Sequence, residues 1–234
     1  MQVKSVNAGQ GASWFSCGWN LFKQDFGTWF IMFLILIGLS IVLSFIPFIG
    51  SLALMIISPA LIGGFMYAAS ELDKGNKIEI GDLFQGFRDK ARMNKLLILG
   101  GFYLLAQVIL MAVMLSMIGG SAMTSAGEAG NVDPAAMMSS GMGLSMLLFI
   151  LVGVAVMLGF VYATPLVMLD NMAPIASIKA SYSACFKNIL PLLVFGLIYL
   201  LLAVIAAIPI GLGFLILIPV SILALYCSYK SIFH

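Results

Sequence analysis

Four long stretches of this 234-residue chain contain no Asp, Glu, Lys, Arg or His, and no other sequence feature restricts the fold as strongly. They are residues 27–70, 96–127, 134–169 and 188–229. A helix needs about 20 mostly apolar residues to cross the roughly 30 Å hydrocarbon core of a bilayer. The first and last stretches are each long enough for two crossings. The sequence therefore predicts an all-α, polytopic membrane protein with six transmembrane helices.

The composition agrees with this prediction, because 62% of the residues are hydrophobic and only 9% are charged. A soluble domain carries about 25% charged residues. The expected surroundings are therefore the lipid bilayer. The formal net charge of +2 is too small to indicate a nucleic-acid partner, and none is expected.

The basic residues are distributed unevenly between the two sides of the predicted membrane. All eleven lysines and arginines fall on one side, and the only charges on the other side are Glu128 and Asp133. By the positive-inside rule, both termini and the loops at 71–95 and 170–188 are predicted to be cytoplasmic. The outer connections are expected to be short turns at 47–50 and 209–213 and one long loop at 119–141, where Pro and Gly interrupt the helical pattern.

The chain also contains a repeated pattern. Apolar residues recur at helical spacing before spans 1, 3 and 5, as in Phe15, Trp19, Phe22 and Phe26, which predicts an amphipathic interfacial helix before each pair of spans. We expect a single integral membrane domain, 1–234, built from three parallel helix-pair repeats at about 11–74, 78–172 and 173–234. Parallel copies differ from the inverted repeats of many secondary transporters.

The second span of each pair contains a proline, and small residues recur at every fourth position. The prolines remove a backbone hydrogen bond, so each is a candidate hinge or simply fixes the shape of its helix. The small residues are expected to pack helices together, and the alternative is that one stripe docks another membrane subunit or a second copy. The candidate kinks are Pro59, Pro165 and Pro219, and the stripes are Ala60, Gly64, Ala68; Ala155, Gly159, Ala163; and Ala203, Ala207, Gly211.

Methionines are concentrated near the outer ends of spans 3 and 4. Thioether sulfur is a soft ligand that selects Cu(I), and methionine is also a common filler of hydrophobic cores. No histidine or cysteine accompanies these residues, so we expect no cofactor. If the methionines are metal ligands, the candidates for binding Cu(I) are Met111, Met114, Met117, Met138, Met142 and Met146.

The predicted spans contain no ionisable group of the kind that proton and ion pathways use, which argues against coupled transport. Gln107 is the most polar side chain deep in a span and is expected to form a hydrogen bond between helices. The single histidine is His234, and no nucleophile-and-base motif is present, so the chain is not expected to be an enzyme. Its three cysteines have no CxxC spacing and are expected to be reduced thiols.

Basic residues next to the predicted interfacial helices are candidates for contact with anionic lipid headgroups, because cytoplasmic leaflets attract such clusters. The alternative is a solvated loop held by ion pairs. The candidates are Lys23, Arg88, Lys90, Arg92, Lys95 and Lys187.

Several short motifs resemble the BPSS-type family of proteobacterial integral membrane proteins of unknown function. They are Val6, Ala8, Gly11, Trp14, Gly18 and Phe22; Ile46-Pro47 with Gly50; Pro59; Gly64-Phe65-Met66; Leu83-Phe84; Phe87-Arg88; Leu99-Gly100 with Tyr103; and Thr164-Pro165-Leu166. The resemblance covers nearly the whole chain. It implies a bacterial inner-membrane location and supplies no active-site residues to carry over.

These observations lead to three functional expectations. The first is a non-enzymatic accessory, scaffold or membrane-homeostasis protein of the bacterial inner membrane. The second is an uncoupled permease or exporter for a small or hydrophobic solute. The third is Cu(I) handling by the methionine-rich outer segment.

Overall fold

A computed structural model describes residues 3–125 and 142–234, and the side chains of 3–115 and 146–234. All of the regular structure in these ranges is helical, which confirms the all-α prediction. The helices are α1 (Gln10–Gln24), α2 (Phe26–Ser44), α3 (Ile49–Asp73), a 3-10 helix (Ile80–Phe84), α4 (Gln85–Arg88), α5 (Lys90–Ser125), α6 (Met142–Phe160), α7 (Ala163–Asp170), α8 (Pro174–Lys187), α9 (Ile189–Ala207) and α10 (Phe214–Phe233).

The described residues contain six helical segments that are long and apolar enough to cross a membrane, as predicted. They are Phe26–Ser44, Ile49–Asp73, Lys90–Leu115, Met146–Asp170, Ile189–Ala207 and Phe214–Phe233. The second and the sixth are the most buried, so α3 and α10 form the centre of the bundle and the other four spans surround them. The threefold repeat remains a prediction.

The long outer loop begins later than predicted. Helix α5 continues past Gly119 to Ser125, because glycine and small residues are tolerated inside membrane helices. Residues 126–141 lie outside the described part of the chain, and with them lie Glu128, Asp133 and Met138.

Two helical hairpins close one end of the bundle. Between α2 and α3 the chain turns at Phe48, and a Cβ atom on Gly50 would lie 1.8 Å from the Leu43 carbonyl oxygen. Between α9 and α10 it turns at Ile210 and Gly211, both of which have positive φ angles. Gly211 therefore belongs to a turn, and its predicted role in a helix-packing stripe is wrong. We call this the hairpin end, and the opposite end, where α3 ends at Asp73 and α10 ends at Phe233, the charged end.

Helix α1 is not simply an interfacial helix, because it packs against α9 and α10. Its Trp14 side chain is 2% exposed and donates a hydrogen bond from Nε1 to the Ser231 hydroxyl at 2.9 Å. Trp19 and Phe26, predicted for the apolar face, are about half exposed. The buried face is rotated relative to the prediction because the glycines on α1 define the contact; it consists of Gly11, Trp14, Phe15, Gly18, Leu21 and Phe22.

The second predicted interfacial helix is not continuous. The chain forms a 3-10 helix and the short α4, and the helical structure breaks at Asp89 before α5 begins. This segment packs on α3, where a Cβ atom on Gly64 would lie 1.9 Å from the Leu83 carbonyl oxygen. Glu79 and Asp82 form a capping box at its start, which satisfies backbone donors there.

Helix α8, the third predicted interfacial helix, packs against α6 and α7. Its buried residues are small ones, Ser177, Ser181, Ala184 and Cys185, whereas the predicted apolar residue Ile175 is exposed. Small side chains allow close helix packing, which an apolar periodicity does not reveal.

The three span prolines differ in their effect. Helices α3 and α10 continue through Pro59 and Pro219. The helical structure is interrupted at Val161 and Tyr162 between α6 and α7, just before Pro165. Proline has no N–H to donate to the carbonyl four residues earlier, which favours the break.

The small-residue stripe on α3 packs inside the protein, which agrees with the default expectation, whereas on α6–α7 Gly159 and Ala163 are buried and Ala155 is exposed. A Cβ atom on Gly86 would lie 2.6 Å from the Ala60 carbonyl oxygen, and one on Gly159 would lie 3.0 Å from the Tyr182 ring. Ala68 and Ala163 are fully buried. On α9, Ala203 is half-buried and Ala207 is exposed.

Candidate functional site

The charged end is held together by ion pairs and tyrosine hydrogen bonds between distant parts of the chain. Asp73 accepts hydrogen bonds from Lys230 and from the Tyr226 hydroxyl at 3.1 Å. Asp170 accepts one from the Tyr229 hydroxyl at 2.6 Å. These contacts join the ends of α3 and α7 to the end of α10.

His234, the single histidine of the chain, lies in this network. Its Nε2 atom is 2.9 Å from the Tyr229 hydroxyl and 3.5 Å from the Asp170 carboxylate. None of these three residues lines any of the cavities described below. We therefore interpret the cluster as a structural contact of the C-terminus.

The predicted headgroup contacts fall into two groups. Arg92 pairs with Asp89 at 3.3 Å, and Lys95 donates to the Asn171 carbonyl and amide oxygens at 2.7 and 2.8 Å. Arg88 donates to the Gln85 side chain at 3.4 Å. The remaining three form no ion pair with any residue that the structure describes; they are Lys23, Lys90 and Lys187.

A lateral apolar groove lies between α6, α8 and α9. Its volume is about 570 Å³, and its walls include Val154, Met157 and Phe186 together with α9 residues from Ile189 to Leu200. Lys187 follows Phe186 in the chain and is exposed. We call this the α6–α9 groove.

A second lateral groove lies where α1 meets α9 and α10. Its volume is about 580 Å³, and Phe15, Trp19, Leu202 and Leu217 are among its lining residues. The Lys23 ammonium group lies 5.9 Å from the centroid of the Trp19 ring. Such a cation–π contact holds a positive charge next to an apolar surface. We call this the α1 groove.

A third space of about 360 Å³ lies between α3, α5, α6, α7 and α10, and we call it the polar cavity. Tyr103 and Gln107 enter its lining from α5, and Thr164 enters from α7. The Tyr103 ring packs edge-on against Phe160, with 5.4 Å between centroids. Val161 and Pro165, at the interruption between α6 and α7, complete this side of the wall.

Gln107 was expected to form an interhelical hydrogen bond, and this expectation is wrong for the described part of the chain. Its amide has no hydrogen-bond partner there and instead lines the polar cavity. Tyr103 and Thr164 were not singled out as site residues. A signal was present in the sequence, because Tyr103 and Gln107 are spaced i, i+4 and so share one helix face.

Two cysteines form a disulfide, so the expectation of three reduced thiols is wrong. Cys17 on α1 is bonded to Cys227 on α10 across a sequence separation of 210 residues. Spacing along the chain could not reveal this pair, because tertiary packing brings α1 onto α10. Cys185 is a free, buried thiol, and burial raises its pKa to about 11. It is therefore a neutral thiol at physiological pH.

The described residues contain no group of three or more His, Cys, Asp or Glu side chains that could hold a metal ion. The Cu(I) hypothesis relies on methionines, and Met111, Met114 and Met146 are each roughly half exposed. The side chains of Met117, Met138 and Met142 lie outside the described residues. The Cu(I) site stays a prediction.

Comparison with known proteins supports a membrane location. The chain is 27% identical, over an alignment of 254 positions, to a probable inner membrane protein from Burkholderia thailandensis; the alignment covers all of this chain and 93% of that protein. No family model matches the chain, and no solved structure matches it. The BPSS-type label therefore remains a resemblance. The six apolar helices and this similarity together support a multi-pass protein of the inner membrane.

Proposed function

We propose that this chain is a non-enzymatic protein of the bacterial inner membrane that binds anionic lipid in its lateral grooves and serves membrane homeostasis or an accessory role. The observation that carries the proposal is that each of two apolar grooves has a nearby lysine without an ion-pair partner among the described residues. Lys23 lies over the ring of the groove residue Trp19, and Lys187 follows the groove residue Phe186 in the chain.

The dimensions of the α6–α9 groove suit one lipid chain. Its lining on α9 runs from Ile189 to Leu200, which at 1.5 Å per residue is about 16 Å. One leaflet contributes about half of a hydrocarbon core that is roughly 30 Å thick. A chain in the groove would therefore extend through one leaflet, with Lys187 near the end at which α9 begins.

The α1 groove offers a similar combination. Trp19 lines the groove, and Lys23 lies over the Trp19 ring. Asp25, the nearest acidic residue along the chain, accepts a hydrogen bond from the Thr28 amide and caps α2. Lys23 is therefore available to a phosphate, while the aromatic ring and the groove contact the apolar part of the lipid.

Burial argues against docking of another subunit through most of the small-residue positions. The stripe on α3, and Gly159 and Ala163 on α6–α7, already pack inside the protein. The exposed apolar grooves therefore support lipid as the occupant better than they support a subunit seated on these buried positions.

Native mass spectrometry of protein released from nanodiscs of phosphatidylethanolamine and phosphatidylglycerol tests the proposal. A basic residue near the surface contributes about 1 kcal/mol to binding of anionic lipid, which is roughly a fivefold change in affinity. We expect Lys23→Gln with Lys187→Gln to retain about fivefold less phosphatidylglycerol per groove. The matched control is Lys77→Gln with Lys179→Gln, because both lysines are exposed and lie outside the grooves. Equal retention by the two double variants would contradict the proposal.

The orientation is part of the same proposal, with both termini in the cytoplasm. Its support is the concentration of basic residues at the charged end, to which both termini are attached. Lys4 donates from its backbone amide to the Ile232 carbonyl at 2.9 Å, so the N-terminal segment lies beside the C-terminus. The positive-inside rule then assigns this end to the cytoplasm.

An uncoupled permease or exporter for a small or hydrophobic solute is the second candidate. The polar cavity around Gln107 favours it, because uncharged polar groups within a span suit a neutral solute. Flux of a neutral amphiphile across proteoliposomes would test it. A rate equal to that of protein-free liposomes would argue against transport and would leave the lipid-binding proposal unaffected.

Cu(I) handling is the third candidate and depends on the methionines near the hairpin end. Cu(I) uptake by purified protein, compared with a Met117→Leu, Met142→Leu double variant, tests it. No difference between the two would exclude this role for those sulfurs.

A further inference from the structure

We infer that the polar cavity binds a small, uncharged amphiphile with a hydroxyl, carbonyl or amide head. The cavity brings Tyr103, Gln107 and Thr164 together from two helices that are distant in sequence. The inference does not depend on lipid binding in the two grooves, since it uses a different set of residues.

The polar side chains of the cavity are unpaired among the residues that the structure describes. No residue that the structure describes forms a hydrogen bond with the side chains of Tyr103, Gln107 or Thr164. Thr164 is 9% exposed, Tyr103 and Gln107 are half-buried, and all three lie within candidate spans, where bulk water is not the surrounding medium. Hydrocarbon offers no hydrogen bonds either, and leaving such groups unpaired costs free energy. A ligand with its own polar group would remove that cost.

The helix interruption adds an acceptor to the same wall. Pro165 has no N–H, so the Val161 carbonyl lacks its usual donor four residues later. No other described N–H or hydroxyl donates to this carbonyl. Val161 and Pro165 both line the cavity. The wall thus offers hydrogen-bond donors from the Gln107 amide and the Tyr103 and Thr164 hydroxyls. The same three side chains can also accept hydrogen bonds, and so can the backbone carbonyl.

The charge of the ligand follows from the lining. It contains no Asp, Glu, Lys, Arg or His, so an ionised head would lie within a span without a counter-charge. The remaining walls are apolar, as Ile62, Leu110 and Val156 illustrate. The matching molecule is therefore neutral, with one polar group on an apolar body.

Access from the bilayer is provided by Met157, which lines both the polar cavity and the α6–α9 groove. Methionine is flexible and adapts to different shapes, so it forms a movable boundary between the two spaces. The volume of about 360 Å³ falls within the range of roughly 300–1,000 Å³ that is usual for small-molecule sites.

Photolabelling in nanodiscs tests the inference, with a diazirine-bearing octanol as the probe. We expect mass spectrometry to place the label on residues 103–110 and 153–165. Decanol should prevent labelling, whereas decane and decanoate, with an apolar body but no neutral polar head, should not. Labelling elsewhere, or equal competition by decane or decanoate, would overturn the inference.

Three variants refine the test. Gln107→Leu with Thr164→Val removes the two polar groups at nearly constant volume and should weaken the apparent affinity for decanol about tenfold. Gly153→Leu should abolish labelling, because a Cβ atom there meets only Leu110, at 4.0 Å, and the longer side chain would occupy the cavity. Ser40→Ala on α2 is the matched control, since its hydroxyl donates to the Leu36 carbonyl away from the cavity.

The thermal midpoint of each variant in detergent provides the folding control. If Gly153→Leu folds normally and still labels at the same peptides as the natural chain, the site is not the polar cavity. If Gly153→Leu does not fold, the affinity of the Gln107→Leu, Thr164→Val variant decides, and an unchanged value overturns the inference.

Discussion

Gly18 on α1 lies directly against Ala224 on α10. A Cβ atom on Gly18 would be 2.6 Å from the Ala224 amide nitrogen and 2.7 Å from the Val220 carbonyl oxygen. A second contact of this kind occurs near the N-terminal end of α1, where a Cβ atom on Gly11 would be 2.3 Å from the Pro191 carbonyl oxygen. The two glycines thus allow α1 to approach the backbones of both α9 and α10.

Replacing Gly18 with leucine should displace α1 from α10. The new side chain would overlap backbone atoms that cannot rotate away, and overpacking of this kind typically costs about 1–3 kcal/mol or more. We expect a lower midpoint of thermal unfolding in mild detergent. Gly27→Leu is the control, because a Cβ atom on Gly27 has no neighbour within 4 Å. Equal midpoints for the two variants would show that α1 does not pack as described.

Asn188 should be important for stability although it lies between two helices rather than in a span. It is fully buried, accepts a hydrogen bond from the Val6 amide at 2.9 Å, and donates to the Lys4 carbonyl at 3.0 Å. Asn188→Leu would leave buried backbone groups unsatisfied, which costs about 1–3 kcal/mol. Protease cleavage near the N-terminus should become faster. Asn7→Ala, at an exposed position, is the control, and an equal cleavage rate would contradict the prediction.

The cysteines should differ in chemical accessibility. Because Cys17 and Cys227 are bonded to each other, denatured but unreduced protein should contain one reactive thiol per chain, Cys185, and reduced protein three. In the folded state burial raises the pKa of Cys185 to about 11, so the reactive thiolate is scarce at pH 8. Alkylation by iodoacetamide should accelerate as the pH rises towards 11. The Cys185→Ser variant gives the background level of alkylation. Three reactive thiols per chain in denatured, unreduced protein would disprove the Cys17–Cys227 pairing.

A single cysteine introduced at Gly130 in a cysteine-free background should be labelled from the periplasm by a membrane-impermeant maleimide. The expectation follows from the concentration of basic residues on the other side of the membrane. The Cys17–Cys227 pair favours the opposite orientation, since disulfides are rare in the cytoplasm. Labelling from the cytoplasm alone would reverse the proposed topology.

The number of spans could be predicted because it depends on local chain properties. A membrane span requires a sufficient length of apolar residues, and the four uncharged stretches meet this requirement. The turns at Pro47 and at residues 209–213 were also predictable, because proline and glycine act on the backbone near them. Two local predictions were wrong: the start of the outer loop at Gly119, and a single continuous helix before α5. In both places the sequence pattern was compatible with more than one backbone path.

The candidate site was predictable only in part. Gln107 stood out as a polar residue in a span, but its role depends on what surrounds it. Tyr103, Thr164 and the Val161 carbonyl come together with Gln107 because α5 packs against α6 and α7 and because the helix is interrupted before Pro165. None of these contacts has a fixed separation along the chain.

By itself, the sequence determined six helices that are long and apolar enough to cross a membrane, because the hydrocarbon core excludes charge and requires helices of a minimum length. The tertiary structure alone decided that α1 packs on α10 instead of lying on the surface, that Cys17 meets Cys227, and that polar groups from separate helices face one cavity. These features depend on which helix faces touch. That choice is made by close packing at a few glycines, such as Gly11, Gly18 and Gly64, whose partners lie far away in the sequence.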